Sequence, residues 1–356
     1  MGRPFEIRFD ENHFIQQLFI GGSVLACVAV IFNIIVFVVL CRKNLISPAT
    51  ILMQGLAVAD GLTSFCAYGL EPLFLANYKP VNFISQSDLV ELKYPYCAIY
   101  VYLRYLGDDF HLVSLLLTTC IGVQKCIALR FPIWTKFHLS NRKSLVVCLA
   151  CFVLSMAINI PRHFGIHVYQ GNIQFFSSQC SVEAGPLMSY GLVYHSVITI
   201  IFIMLLCLLM SLCTGYIIYR LITNTFQGRQ TEKRKQERRS IIMIILVLVV
   251  FFISEIPRML INCVMFEDVV DILESSKWEI EHLITYIMDE RFRLAAYLHI
   301  GADIEFGIAF YMVECMKLFT LLGCISNFII YLCTSQKMRN EIRTILKCTN
   351  QHRQQK

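Results

Sequence analysis

The ten residues Phe251–Leu260, "FFISEIPRML", close an apolar run that begins near Ile241. Inside them sit Glu255, Pro257 and Arg258, two charges and a helix breaker in a segment otherwise suited to lipid. An ionisable side chain at the centre of a membrane helix costs about 2.5–3.5 kcal/mol on insertion scales, so such groups usually face a bundle interior or a wet cavity. Pro257 removes a backbone donor and predicts a kink. Glu255 and Arg258 lie three residues apart and can pair with each other. If they face a cavity instead, they can read a polar ligand.

The rest of the chain supports a membrane setting. It has 356 residues, 56% hydrophobic and 16% charged, whereas a soluble domain carries about 25% charged residues. Crossing a bilayer takes roughly 20 apolar residues, and the backbone must satisfy itself as helix. Seven spans are predicted, at about 18–41, 49–74, 97–128, 143–163, 189–221, 239–264 and 307–333. The fold class is therefore all-α, a seven-helix bundle over residues 1–334. Residues 335–356 form an amphipathic helix and tail, with Met338, Ile342, Ile345 and Leu346 at helical spacing, suited to the inner leaflet. Cys348 beside them is a candidate for palmitoylation. The polar first seventeen residues do not read as a cleavable leader, so span 1 is expected to act as its own anchor.

Charge sets the orientation. The loop after span 1 carries Arg42 and Lys43, and the loop after span 3 carries Arg130, Lys136, Arg142 and Lys143. The loop after span 5 carries Arg229, Lys233, Arg234, Lys235, Arg238 and Arg239, and the tail adds Lys337, Arg339, Arg343 and Lys347. The positive-inside rule puts the amino terminus outside, with the plasma membrane as the expected site. Between two spans, a basic patch reads as a cytoplasmic loop rather than a nucleic-acid surface. Most of the 16 cysteines fall in apolar runs, where thiols act as small hydrophobes. Cys97 and Cys180 fall in outer loops and can form one disulfide. No HExxH appears, and neither a metal nor a cofactor is expected. The loop 267–303 is long, and "WEIEHLITYI" within it has helical character.

Polar residues cluster inside the spans. Asp60, Ser64 and Glu71 share one face of span 2, with Asp60 and Glu71 about 16 Å apart along a regular helix. Asp60 reads as a hydrogen-bond hub or an ion-sensitive switch, and Glu71 as a rim residue or a ligand contact. In span 3, Asp108, His111, Ser114, Thr118 and Lys125 form a polar stripe, while Asp109 points elsewhere. Asp108 and His111 either satisfy each other or face a cavity, and Lys125 can snorkel to the inner surface. Span 7 adds Glu314 and Lys317. Glu71, Asp108, His111, Glu255, Arg258 and Glu314 are the candidate ligand-binding residues. Acids outnumber bases in this outer half, which favours a cationic guest such as a peptide arginine or an amine.

These motifs resemble the rhodopsin-like G-protein-coupled receptors. "GLAVAD" with Asp60, and Asn33 in span 1, resemble the family's first two spans. "KCIALRFP" resembles the end of span 3, with Lys125 and Pro132 at the spacing of the family's Arg and Pro. "NFIIY", Asn327 to Tyr331, resembles the span 7 motif with Phe328 in place of proline, and "FFISEIP" keeps Phe251 and Pro257 of span 6. "RKNLISPATILMQGLAVAD", "SEIPR" and "SNFIIYLCTSQKMR" further resemble the invertebrate FMRFamide, myosuppressin and sex-peptide receptors. Spans 4 and 5 match weakly, lacking the tryptophan and proline found there.

The resemblance implies roles. Asn33, Asp60, Ser114, Asn327 and Tyr331 would form a sodium and activation network. Lys125, Arg130 and Pro132 would meet the G protein. Glu255 takes the place of the span 6 switch residue, and Cys97 and Cys180 would be disulfide-bonded. Gln124 and Lys125 replace the family's acid–Arg pair, and lysine lacks arginine's rigid fork. Cys97 also lies three residues further from Lys125 than is usual.

The expected function is transmission of extracellular ligand binding to a heterotrimeric G protein across the lipid bilayer, with an FMRFamide-like neuropeptide as ligand. A nematode-style chemosensor for small molecules is the alternative. A transporter fits less well, since no matching Gly/Pro-interrupted spans appear, and no enzyme is expected, since no nucleophile–base spacing appears.

Overall fold

In the computed structural model, the described residues are 7–8, 13–80, 89–92, 94–173, 176–184, 195–225, 242, 245–250, 253–256, 258, 304–334 and 338–343. Phe251, Pro257, the basic loop from Arg229 to Arg239, the loop 267–303, Ile345, Leu346 and Cys348 lie outside them, as does the side chain of Cys180.

Span 1 is the helix His13–Leu40. Span 2 starts at Pro48, where Ser47 and Thr50 form a reciprocal capping box that satisfies otherwise orphaned donors. Its helix runs Pro48–Ser64, passes through a π-turn at Phe65–Gly69 and resumes as Glu71–Asn77. Span 3 is Tyr96–Arg130, span 4 is Asn141–His163, and span 5 is described over His195–Thr225. The described residues of span 6, 245–250 and 253–256, are helical, and span 7 is Ile304–Thr334. Six of these helices are long and apolar enough to cross a membrane, and the described part of span 6 is shorter.

Within the described residues a helix overlaps each predicted span, span 6 only in part. The expected regular helix through Asp60, Ser64 and Glu71 is corrected, because the π-turn intervenes and Leu70 (φ −100°, ψ 4°) breaks the hydrogen-bond ladder. Residues beyond it are rotated from their regular-helix positions.

Span 3 is the most enclosed, with 61% of its apolar window buried against 28% in spans 4 and 5. It packs on spans 2, 4 and 5. The main core joins Leu56, Val113, Leu117, Ile121, Met210 and Ile217. Exposed apolar stripes run along the outer helices, such as Ile20, Val24, Ile31 and Ile34 of span 1 and Leu205, Leu208 and Leu212 of span 5. Such stripes would drive aggregation in water and suit a lipid-facing surface.

Short strands sit at one end of the bundle. β1 (Ile7–Arg8) and β2 (Tyr78–Pro80) both pair antiparallel with β3 (Leu89–Leu92). β4 (Ile166–Ile173) and β5 (Phe176–Ala184) form an antiparallel hairpin with an irregularity at Gly171/Asn172. A seven-residue helix, Pro132–His138, lies at the opposite end between spans 3 and 4. Neither the strands nor this helix was expected, so the bundle is all-α while its loops are not. In the tail, Met338 is buried and packs with Ile342 against the main core, so these two residues face the bundle.

Candidate polar cavity and its charged clusters

The strand-bearing half holds two charged clusters. In the first, helical phase turns Asp108 and Asp109 of span 3 to different neighbours. Asp108 Oδ2 accepts from Arg162 Nη1 at 2.7 Å, and its Oδ1 lies 3.5 Å from Arg258 Nη1 of span 6. Asp109 Oδ2 lies 2.8 Å from His163 Nε2. One turn further along span 3, His111 Nε2 approaches Glu255 Oε1 at 2.9 Å, and Glu255 is fully buried. Glu255 Oε2 also lies 3.7 Å from Arg258 Nε. Asp108 and His111 therefore do not pair with each other; both reach across to span 6. Arg162 also stacks over the Tyr105 ring at 4.3 Å.

The second cluster joins spans 2 and 7. Lys317 Nζ donates to Glu314 Oε1 at 2.6 Å, and the Tyr68 hydroxyl donates to Glu314 Oε2. Tyr68 reaches this position because Gly22 of span 1 leaves it room: a Cβ there would fall 2.8 Å from the ring. Glu71, one helical turn on, is 4% exposed, and its Oε1 has no hydrogen-bond partner. It is not a rim residue. Burying an unpaired carboxylate oxygen is expensive, so this group stands out chemically.

Acids still outnumber lysines and arginines in these clusters, as expected, but most of them have basic partners. Glu71, Asp108, Asp109, Glu255 and Glu314 face Arg162, Arg258 and Lys317, with His111 and His163 beside them. Charges are matched around Asp108; among the described residues Glu71 Oε1 and Asp109 Oδ1 are buried carboxylate oxygens with neither a hydrogen bond nor an ion pair within 4 Å. Arg162 and His163 were missed as site residues. Their signal was visible, since they directly follow Pro161 at the end of an apolar run, but they read as a span boundary.

Deeper in the bundle, the Asp60 carboxylate accepts from the Ser114 hydroxyl and, at 2.7 Å, from the Asn327 amide. Cys324 of span 7 is buried near Asp60, a neighbour the sequence reading passed over. Ser64 donates to the Asp60 backbone oxygen at 2.7 Å. Asn33 is buried, but its amide donates to Ala29 of its own helix at 3.0 Å, and it packs beside Gly61. Tyr331 is buried in the main core. Three of the five network residues thus form one hydrogen-bonded unit.

At the other end, Lys125 is half-buried, Gln124 Oε1 is buried without a hydrogen-bond partner, and Arg130 and Pro132 are exposed. Arg220 of span 5 donates to the Leu129 carbonyl at 3.4 Å. Cys97 is disulfide-bonded. Cys148 and Cys151, two steps of a CxxC spacing on span 4, are buried, and Cys151 Sγ lies 4.0 Å from Cys120 Sγ.

A bundle of this order, with Asp60 tied to span 3 and span 7 and charged clusters at one end, is consistent with a seven-helix receptor. Residues 32–292, well over half of the chain, match the 7 transmembrane receptor (rhodopsin family), and the chain belongs to that family. It is a multi-pass membrane receptor rather than an enzyme. Over 132 residues it is 27% identical to Mas-related G-protein coupled receptor member D of Mus musculus, covering 37% of each chain. Over 163 residues it is 28% identical to melanopsin of Rutilus rutilus, covering 45% of this chain and 29% of that one. Over 164 residues it is 26% identical to Mas-related G-protein coupled receptor member H of Rattus norvegicus, covering 45% and 46%. The chain spans less than half the length of the curated relatives it matches. None of the three is an FMRFamide, myosuppressin or sex-peptide receptor, the branch its motifs resemble.

Proposed function

We propose that the chain is a plasma-membrane G-protein-coupled receptor, amino terminus outside, whose ligand carries a cationic group anchored by Glu71. The observation that carries this reading is the Glu71 Oε1 atom, buried and without a hydrogen-bond partner beside an otherwise matched cluster. A ligand guanidinium or ammonium supplies the missing donor. An amidated neuropeptide of the FMRFamide type brings such a group, and the span 2, 6 and 7 motifs support that class. In this reading Cys97 pairs with Cys180 and ties the β4–β5 hairpin over the cavity.

Transmission follows from the charge pairs. The Asp108–Arg258 and His111–Glu255 contacts join span 3 to span 6. A ligand that engages Glu71, Asp108 or Glu314 and prefers one arrangement of these pairs shifts a two-state equilibrium. Moving from 1% to 99% active requires about 5.5 kcal/mol of differential affinity. Two or three charge-assisted hydrogen bonds at about 1.5–3 kcal/mol each supply that. Asp60 and Ser114 offer hard oxygen donors that suit a small monovalent cation, which would add a positive charge between spans 2 and 3. Opening at the basic end then presents Lys125, Arg130 and Pro132 to the G protein.

The test is a screen of arginine-containing amidated peptides and small amines against cells expressing the chain, with a G-protein readout, repeated on Glu71→Gln and Asp108→Asn. A cationic agonist weakened tenfold or more by Glu71→Gln, about 1.4 kcal/mol, supports the reading. Response only to uncharged small molecules, untouched by either substitution, refutes it and favours a chemosensor.

A further inference from the structure

The helix Pro132–His138 presents an apolar face that is exposed among the described residues. Ile133 is 75% exposed, Phe137 78%, and Trp134 48%. At 100° per residue these three fall within about 100° of arc. Phe131, just before the helix, is 55% exposed, with Arg130 5.5 Å from its ring centroid. Trp134 stacks on His138, centroids 4.5 Å apart, which fixes the indole on the flank of the face. Bases surround it: Arg130, Lys136, Arg142 and Lys143. Between Asp109 and Glu183 the chain has no acidic residue at all.

We infer that this helix is a peripheral anchor that lies in the headgroup layer of an anionic leaflet. Ile133 and Phe137 enter the acyl boundary, Trp134 sits at headgroup depth, and the bases meet lipid phosphates. Two properties favour a lipid surface over a protein groove. The apolar face is short and flanked by cations alone, the pattern of interfacial helices. It is also continuous along the chain with the lipid-facing stripe of span 4, where Leu145, Val146 and Leu149 are exposed. Each base near an anionic leaflet strengthens association about fivefold. Because the helix follows Arg130 by one residue and contacts span 3, its seating biases how span 3 stands in the bilayer. The inference rests on the bundle and on the leaflet being anionic; it does not depend on which end faces the cytoplasm, because nanodiscs expose both faces.

The chain's two tryptophans are Trp134 and Trp278. The full-length Trp278→Phe protein in nanodiscs therefore reports on Trp134 alone. With lipids brominated near the headgroup end of the acyl chain, its emission should be quenched at least about twofold more in phosphatidylglycerol-containing discs than in phosphatidylcholine discs. High salt should erase the difference, and Lys136→Glu should reduce it by about half. Backbone hydrogen exchange over 131–138 in the unsubstituted protein, slower in anionic discs, is the second readout and needs no variant. Quenching that is absent, or indifferent to lipid charge and salt, overturns the proposal. So does an apolar face that stays in water in both discs and becomes protected only when purified heterotrimeric G protein is added.

Discussion

Glu71 and His111 illustrate two ways of keeping a charge inside a membrane bundle. His111 meets Glu255 at 2.9 Å, whereas Glu71 keeps an oxygen without a partner. Opposite predictions follow. Glu71→Gln keeps the side-chain shape but removes a buried charge, whose desolvation is the larger cost, so it should stabilise the ligand-free protein by about 1–3 kcal/mol. Buried thiols such as Cys66, Cys207 and Cys324 make unfolding measurable with a thiol-reactive dye on heating. A fall in melting temperature in Glu71→Gln would mean that Glu71 has a structural partner. His111→Gln and Glu255→Gln each remove one ionisable half of a buried contact and should each destabilise by about 1–3 kcal/mol. The double substitution should cost clearly less than the sum; strict additivity would show that the contact carries no energy. The sequence revealed the costly groups by their presence in apolar runs, and the Glu255–Arg258 pair by its spacing, but not the partners on other helices. Pairing Asp108 with Arg162 depends on the span 3–span 4 crossing, which no local pattern encodes.

The helices themselves were legible, because hydropathy and length define a membrane helix without reference to its neighbours. The π-turn at Phe65–Gly69, the strands and the Pro132–His138 helix were not. β1, β2 and β3 are two to four residues long and are held by pairing across distant segments, so they lack the sustained alternation that marks a longer strand. Close approach between helices was equally hidden. A Cβ at Gly55 would clash with Cys148 Sγ and fall 3.2 Å from Leu117 Cδ1, so the glycine lets span 2 settle against spans 3 and 4. Gly55→Ala should therefore lower stability by about 1–3 kcal/mol through overpacking. Adding Cys148→Ala should return most of the loss, since the clashing sulfur is then gone. Failure of that rescue in the same thermal assay would place the strain elsewhere.

Across the whole molecule, the proposed ligand site at one end would act on the proposed G-protein surface at the other through span 3. The Asp60–Ser114–Asn327 unit ties spans 2, 3 and 7 together between them. At the basic end, Gln124 Oε1 is buried without a hydrogen-bond partner and no described acid pairs with Lys125. An acid at position 124 would give Lys125 a partner and steady the inactive arrangement. Gln124→Glu is thus expected to lower ligand-independent G-protein activation severalfold in cells at equal surface expression. An increase would show that the pair acts on the active arrangement instead. The family motifs marked Asp60, Ser114 and Asn327 from sequence, and these three are hydrogen-bonded in the bundle, whereas the proposed ligand chemistry rests on the Glu71 oxygen, whose burial no local pattern encodes.

That oxygen can be tested by a thermodynamic cycle between receptor and ligand. Binding of a cationic agonist found in the screen is measured on the wild-type receptor and on Glu71→Gln, and again with an analogue in which citrulline replaces the ligand's arginine, or a neutral amide its amine. The account predicts that each change alone weakens binding at least about tenfold and that both together do little more than either one. Independent, multiplying losses would contradict it, because the ligand's cation would then be recognised somewhere other than Glu71.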